Sequence, residues 1–295
     1  MTAVDDLAAD GAGSDEERVP AAEGPPGGHR PQELLFSFFG GVVLERGDTD
    51  PIPSAVFLRL LSSLGVAEAA GRATLARMTR KGLLDRTQVG RTAYYRLSDE
   101  ATTVVRKAAE RVRAAAPFEH PDGEWTLLSY SMPESRRDLR HRVRATLTWA
   151  GFGGLRDGVW IAPGTVDVGE VLADAGLDEV GELAEWFAAS ALPGVRVDAF
   201  IRRAWPVDRI RERHEAFINA WWAGPAGGED PLGEITLLGA DWLQLLRADP
   251  GLPARYLSAD WPAAQSAAVY RRCYDTLLPA AERSLDLELG RVVAG

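Results

Sequence analysis

The segment from Ala67 to Leu97 limits what this chain can fold into more than any other. Apolar residues recur at helical spacing from about Ala67 to Lys81, and Gly82 stands where a helix usually ends. A strand-like run, Leu83 to Val89, follows at once. Gly90-Arg91 then makes a turn, and Thr92-Ala93-Tyr94-Tyr95-Arg96-Leu97 returns. Two short runs about a glycine-containing turn read as a hairpin. Upstream, Leu34, Leu35, Phe38, Phe39, Val42 and Val43 mark a helix behind Pro31. Val56, Leu60, Leu61 and Leu64 mark a second, which starts near Pro53 or Ser54 and stops at Gly65. Downstream, Ser98 is placed to cap a helix with Val104, Val105, Ala108 and Val112 inward. Three helices followed by a basic hairpin predict a winged helix-turn-helix over 31–116. Gly40-Gly41, inside the first helix, costs roughly 1 kcal/mol per glycine relative to alanine, so tertiary packing has to hold it.

Around this unit the pattern changes twice. Residues 1–30 are acidic, lack hydrophobic periodicity and contain Gly24-Pro25-Pro26-Gly27-Gly28, which predicts a disordered tail. After a linker from Ala114 to Pro121, Trp125 to Met132 alternates like a strand. A helix follows from about Ser135 to Ala150 with Leu139, Val143, Leu147 and Ala150 inward, then a strand-turn-strand through Val159-Trp160-Ile161-Ala162, then a helix near Val168 to Ala175. This β-α-β-β-α order predicts a ferredoxin-like domain over 117–200. Its last strand has two candidates: Leu183 to Ala189 fits by order, Val195 to Ile201 by alternation. Residues 201–295 read as a helical C-terminal domain, ending in a long helix capped near Asp260 and kinked at Pro279. The fold class is therefore α+β.

The net charge of -10 is unevenly distributed. Residues 1–30 carry -5, 31–116 carry +4, 117–200 carry -7 and 201–295 carry -2. One basic segment in an acidic chain points to a polyanion site confined to it. No run of 18 apolar residues exists, so no membrane span is expected. The N-terminal thirty residues lack the basic start and apolar core of a signal peptide, and Cys273 is alone, so a cytoplasmic location is expected.

In a winged helix-turn-helix the third helix enters the major groove. Its outward residues are expected to be Glu68, Arg72, Ala73, Ala76, Arg77 and Arg80, with Ala70, Thr74, Leu75 and Met78 inward. Arg72 and Arg77 are the expected base readers, because a guanidinium fork matches the two major-groove acceptors of guanine. Arg80 and Lys81 suit phosphate. Arg86 and Arg91, with Tyr94 or Tyr95, suit the backbone or minor groove. Any one of these arginines also fits a solvated surface charge; the set points to DNA.

Five stretches, Arg30–Gly47, Gly65–Ala101, Trp125–Pro163, Arg202–Trp221 and Leu252–Leu285, resemble the PaaX family of phenylacetate-degradation repressors and their relatives. The resemblance implies a winged-helix N-terminal domain, a ferredoxin-like middle domain related to a CRISPR-associated nuclease fold, and a helical C-terminal domain. It also implies a homodimer on double-stranded operator DNA, released by a small effector such as an aryl-CoA thioester. The chain departs from the family pattern in the third helix. Ala69 stands for a usual arginine, Gly71 for a valine, and Ala73 and Ala76 for hydroxyl residues. Those changes remove polar groups from the expected reading face, and Gly71 is expected to weaken that helix. A regulator-derived ligand-binding or interaction module with weakened DNA binding is therefore the alternative.

For the effector, Arg136 and Arg140 near the start of a helix suit phosphate groups, although the same helix also reads as a solvated basic face. Arg202, Arg203 and Trp205 open the C-terminal domain, and domain junctions are common pocket sites. Catalysis is not expected. His29, His120, His141 and His214 are scattered, and no phosphate loop or nucleophile elbow appears. Cys273 reads as a core thiol. The related nucleases use an aspartate at the end of the first strand, and Thr126 to Met132 contains none. No metal or cofactor is expected.

Overall fold

The computed structural model describes residues 28–114, 116–119 and 124–293; the expected tail before residue 28, and His120, lie outside them. The protein is α+β, with mixed helix and antiparallel sheet, and divides into two compact units. No helix among the described residues is long and apolar enough to cross a membrane.

One unit contains residues 28–114 together with Phe217–Gln244 and Ala267 onward. Helix α1 (Pro31–Phe38) runs into a π-helical turn, Phe39–Val43. Then come strand β1 (Ile52–Pro53), α2 (Ser54–Ser63), α3 (Glu68–Arg80), β2 (Leu84–Val89), β3 (Thr92–Leu97) and α4 (Asp99–Arg113). The sheet order is β1-β3-β2, antiparallel throughout. Phe38, Phe39, Phe57 and Tyr95 form an aromatic centre, with Phe38 edge-on to Phe57 at 5.8 Å and Phe57 edge-on to Tyr95 at 6.2 Å. The Gly40-Gly41 pair sits in the π turn, where an added Cβ at Gly40 would lie 3.2 Å from Val105 Cγ1. Small residues there let α4 pack close, which is the tertiary compensation the glycines require. His29 is also buried, ahead of the expected boundary at residue 31.

The same unit takes in parts of three C-terminal helices: α8 (Val207–Trp221), α9 (Pro231–Ala248) and α10 (Ala263–Val293). Trp242 stacks on Tyr270 with centroids 4.5 Å apart. Ser37 Oγ donates to the Thr236 carbonyl at 2.7 Å, and Arg46 pairs with Asp286 at 2.7 Å. Arg59 on α2 pairs with Glu288 on α10. Helix α10 continues through Pro279.

The other unit contains Ala116–Ala216 and Leu245–Ser266. Its elements are β4 (Trp125–Tyr130), α5 (Arg137–Trp149), β5 (Gly153–Arg156), β6 (Val159–Pro163), α6 (Val168–Asp174), β7 (Ala184–Ala189) and α7 (Val197–Ala204). The antiparallel sheet is ordered β5-β6-β4-β7. Leu128, Tyr130, Trp160 and Ala162 pack on one face against Leu139, Val143 and Leu147 of α5 and Val168 and Leu172 of α6. Trp125, Leu127 and Ile161 face the other way, toward Val197 and Ile201 of α7 and toward Trp205, Val207, Ile210 and Leu252. The last strand is thus the earlier candidate, Ala184–Ala189. Val195 to Ile201 is not a strand, because Gly194 turns the chain at φ +87° and Val197 and Ile201, four apart, become one side of α7.

Candidate nucleic-acid interface

Helix α3 is set by what it buries. Gly71, Thr74, Leu75 and Met78 form its inner stripe, at the i, i+3, i+4, i+7 spacing of a one-sided helix. Ala70, expected inward, is exposed, and Gly71 takes its place. An added Cβ at Gly71 would lie 3.1 Å from Leu58 Cδ2 and 3.3 Å from Leu61 Cδ1. The glycine therefore does more than weaken the helix: it brings α3 against α2. The C-terminal end closes on Gly82 at φ +72°, with Leu83 N–H donating to the Met78 carbonyl at 2.9 Å.

That stripe turns Glu68, Ala69, Arg72, Ala73, Ala76, Arg77 and Arg80 outward, and Lys81 follows, also exposed. The middle of the face is smooth alanine, with cations around it. Arg72 is 65 % exposed yet engaged: its Nε lies 3.0 Å from Glu68 Oε1, one turn earlier. Arg77 reaches Thr74 Oγ1 only at 3.4 Å. Arg77 and Arg80 occupy the last turn, where cations suit the helix dipole.

The hairpin follows directly. Val89 pairs with Thr92 across a two-residue Gly90-Arg91 loop, with Gly90 at φ +57°. Arg91 stands exposed at the tip. Arg86 lies opposite Tyr95 and Thr87 opposite Tyr94. Side chains alternate along a strand, so Arg86 and Tyr94 point to opposite faces and cannot grip one surface together. Arg86, exposed, donates to Gln88 Oε1 at 2.7 Å. Sequence reasoning missed Arg96, which bridges Asp85 at 2.6 Å and Asp99 at 3.1 Å and so ties the hairpin base to α4.

The five effector candidates do not converge. Arg136 pairs with Glu179 at 3.1 Å, and Arg140 donates to the Met132 carbonyl at 2.8 Å, both at the start of the α5 segment. Arg202 and Arg203 lie exposed on α7, across the sheet from α5. Trp205 is buried in the core of that second face and donates its indole N–H to the Gly151 carbonyl at 3.2 Å. Arg202, Trp205, Pro206, Val207, Asp208 and Arg209 line an open depression of about 260 Å³. Enclosed ligand sites usually run from about 300 Å³ upward.

A buried polar row escaped the sequence reading altogether. His214, Asp249 and Ser266 are all within 1 % of full burial. His214 Nε2 lies 2.9 Å from Asp249 Oδ2 and its Nδ1 lies 2.9 Å from Ser266 Oγ. Phe118 and Trp261 pack edge-on against the ring. The residue types are those of a nucleophilic triad, but a serine hydroxyl with no solvent exposure meets no substrate. Asp249 Oδ1 also accepts the Gly251 N–H at 2.8 Å, so the row fastens a turn to two helices. No group of three or more metal-binding side chains occurs among the described residues.

Known proteins resemble this chain along most of its length. Family models match residues 30–101 (PaaX-like protein), 119–193 (PaaX protein central Cas2-like domain) and 205–287 (PaaX-like protein C-terminal domain). The chain is 28% identical over 262 residues to the transcriptional repressor PaaX of Escherichia coli (strain K12), covering 84% of this chain and 80% of that protein. A solved structure, the uncharacterized protein Rv0674 from Mycobacterium tuberculosis, is similar with a TM-score of 0.58 at 22% identity, over 87% of this chain and 98% of that one; a likeness at that identity is one of fold. With three family models matched in succession from residue 30 to residue 287, the chain belongs to the PaaX family.

Proposed function

We propose that this chain is a cytoplasmic, DNA-binding transcriptional repressor, acting as a homodimer on operator DNA and released by a small effector. The likeness to a named transcriptional repressor supports transcription regulation. The observation that carries the DNA-binding mode is the outward placement of Arg72, Arg77, Arg80 and Lys81 on one helix, followed without interruption by a hairpin carrying Arg86 and Arg91. Three helices, a three-stranded sheet ordered β1-β3-β2 and that hairpin support a winged helix-turn-helix over 31–116. The β5-β6-β4-β7 order likewise supports a ferredoxin-like domain over 117–200. In this reading Arg77 and Arg72 contact base edges, Arg80 and Lys81 hold phosphate, and Arg91 leads the wing onto the backbone. The effector, an acyl-CoA or related thioester, is assigned to the open depression lined by Arg202 and Trp205. No catalytic role is proposed.

The test is a salt-titrated binding assay on DNA flanking the gene. Preference for one native fragment is expected, and Arg72→Ala with Arg77→Ala is expected to flatten it by about 1–3 kcal/mol per lost base contact. Absence of any preference in the unmodified protein would favour a second reading, a family member with weakened DNA binding. The exposed Ala69, Ala73 and Ala76 and the engagement of Arg72 by Glu68 are the features behind that alternative.

A further inference from the structure

Residues 117–200 are the most acidic stretch of described chain, yet five of their seven arginines fall within positions 136–144. Arg136 and Arg140 are partly engaged, as above, and Arg142 reaches the Gly176 carbonyl at 3.3 Å. Arg137, His141 and Arg144 are exposed, and among the described residues their side chains have no hydrogen bond or ion pair. Spaced four and three residues apart, they form one stripe on α5, turned away from Leu139, Val143 and Leu147. At 1.5 Å per residue the stripe is about 10 Å long. Asp138 is the one acid on the helix.

This distribution works against the helix that bears it. Cations crowd the N-terminal half, where the dipole favours anions, and none stands in the last turn. Arg140 and Arg144 also stand at i, i+4, a like-charge pair that disfavours the helix. A line of phosphates laid along the stripe would relieve both. An enclosed small anion does not fit, because the cations spread along an open face and do not converge, whereas ligand pockets bury most of their ligand.

We propose that the outer face of α5 is a second polyanion surface, on which Arg137, His141 and Arg144 hold the phosphate backbone of double-stranded DNA without reading sequence. The proposal builds on the DNA-binding reading but concerns a separate element and a sequence-independent contact. It is tested on the full chain with a random-sequence duplex of about four helical turns, by fluorescence anisotropy across a salt series. Each lost phosphate contact lowers the slope of log K against log salt by about 0.9, so Arg137→Gln with Arg144→Gln is expected to lower it by about 2. Arg137→Lys with Arg144→Lys is expected to restore the slope, and neither pair should lower the melting temperature. An unchanged slope in the glutamine variant overturns the proposal. So does a slope loss accompanied by a falling melting temperature that lysine does not restore, which makes the arginines structural. Loss of inorganic pyrophosphate binding with duplex binding intact would assign a small-anion site and overturn it as well. A protein that binds random duplex without preferring any operator ends the repressor reading, while the slope comparison still decides this one.

Discussion

The hydroxyl of Tyr274 on α10 donates to the carbonyl oxygen of Gly41 at 2.8 Å, inside the π turn that continues α1. A π turn leaves backbone groups out of helical register, and this bond satisfies one of them. Burial pushes the Tyr274 hydroxyl up to about 12, so it stays a donor throughout the ordinary pH range. Tyr274→Phe is expected to cost about 1–2 kcal/mol, read by urea denaturation. A variant as stable as the parent would show that the turn needs no external partner.

His29 supplies a pH dependence. Burial opposes its charge, but the hydrogen bond to Asp241 at 2.6 Å and the Glu33 carboxylate 3.8 Å away outweigh burial and push the imidazole up to about 9 from 6.5. A pKa raised in the folded state contributes stability that is complete below pH 6.5 and is lost as pH rises through about 9. Asp241 and Glu33 are both partly exposed, so solvent screening holds the contribution to about 2 kcal/mol or less. Melts at pH 6 and pH 9.5 should differ by this amount in the parent, beyond the difference that remains in His29→Gln. Equal pH sensitivity in both proteins would remove His29 as the cause.

Glu68 restrains Arg72 on the face of α3 proposed to meet DNA. Glu68→Gln removes a negative charge and frees the guanidinium, so duplex affinity at low salt is expected to rise several-fold, with the gain fading as salt screens it. Affinity that is unchanged or lower would mean that the pair preorganises Arg72.

Close packing at Gly71 predicts a size conflict. Gly71→Val should destabilise the protein by about 1–3 kcal/mol through Leu58 and Leu61. Adding Leu58→Ala should then cost less than it does in the parent, and a double-mutant cycle with no coupling would contradict that contact.

The row Ser266, His214 and Asp249 should behave as structure. His214→Leu deprives Asp249 and Ser266 of a buried hydrogen-bond partner and is expected to cost about 1–3 kcal/mol. Ser266→Ala should cost about 1 kcal/mol. Calorimetric unfolding measures both, and a stable His214→Leu protein would show that Asp249 finds another partner.

Local pattern alone determined much of this protein. The stripe at Thr74, Leu75 and Met78, the stop at Gly82, the two-residue turn at Gly90-Arg91 and the inner face Leu139, Val143 and Leu147 are written in residues a few positions apart, because helix and strand periods and glycine's left-handed backbone act over one or two turns. Packing decided the rest. Whether Ala70 or Gly71 faces inward depends on Leu58 and Leu61 in another helix, and the choice of Ala184–Ala189 as last strand depends on its register with β4. His214 meets Asp249 and Ser266 across 35 and 52 residues, and Tyr274 meets Gly41 across 233. Such pairs carry no short-range signature: a buried donor finds whichever acceptor the folded chain brings within about 3 Å of it.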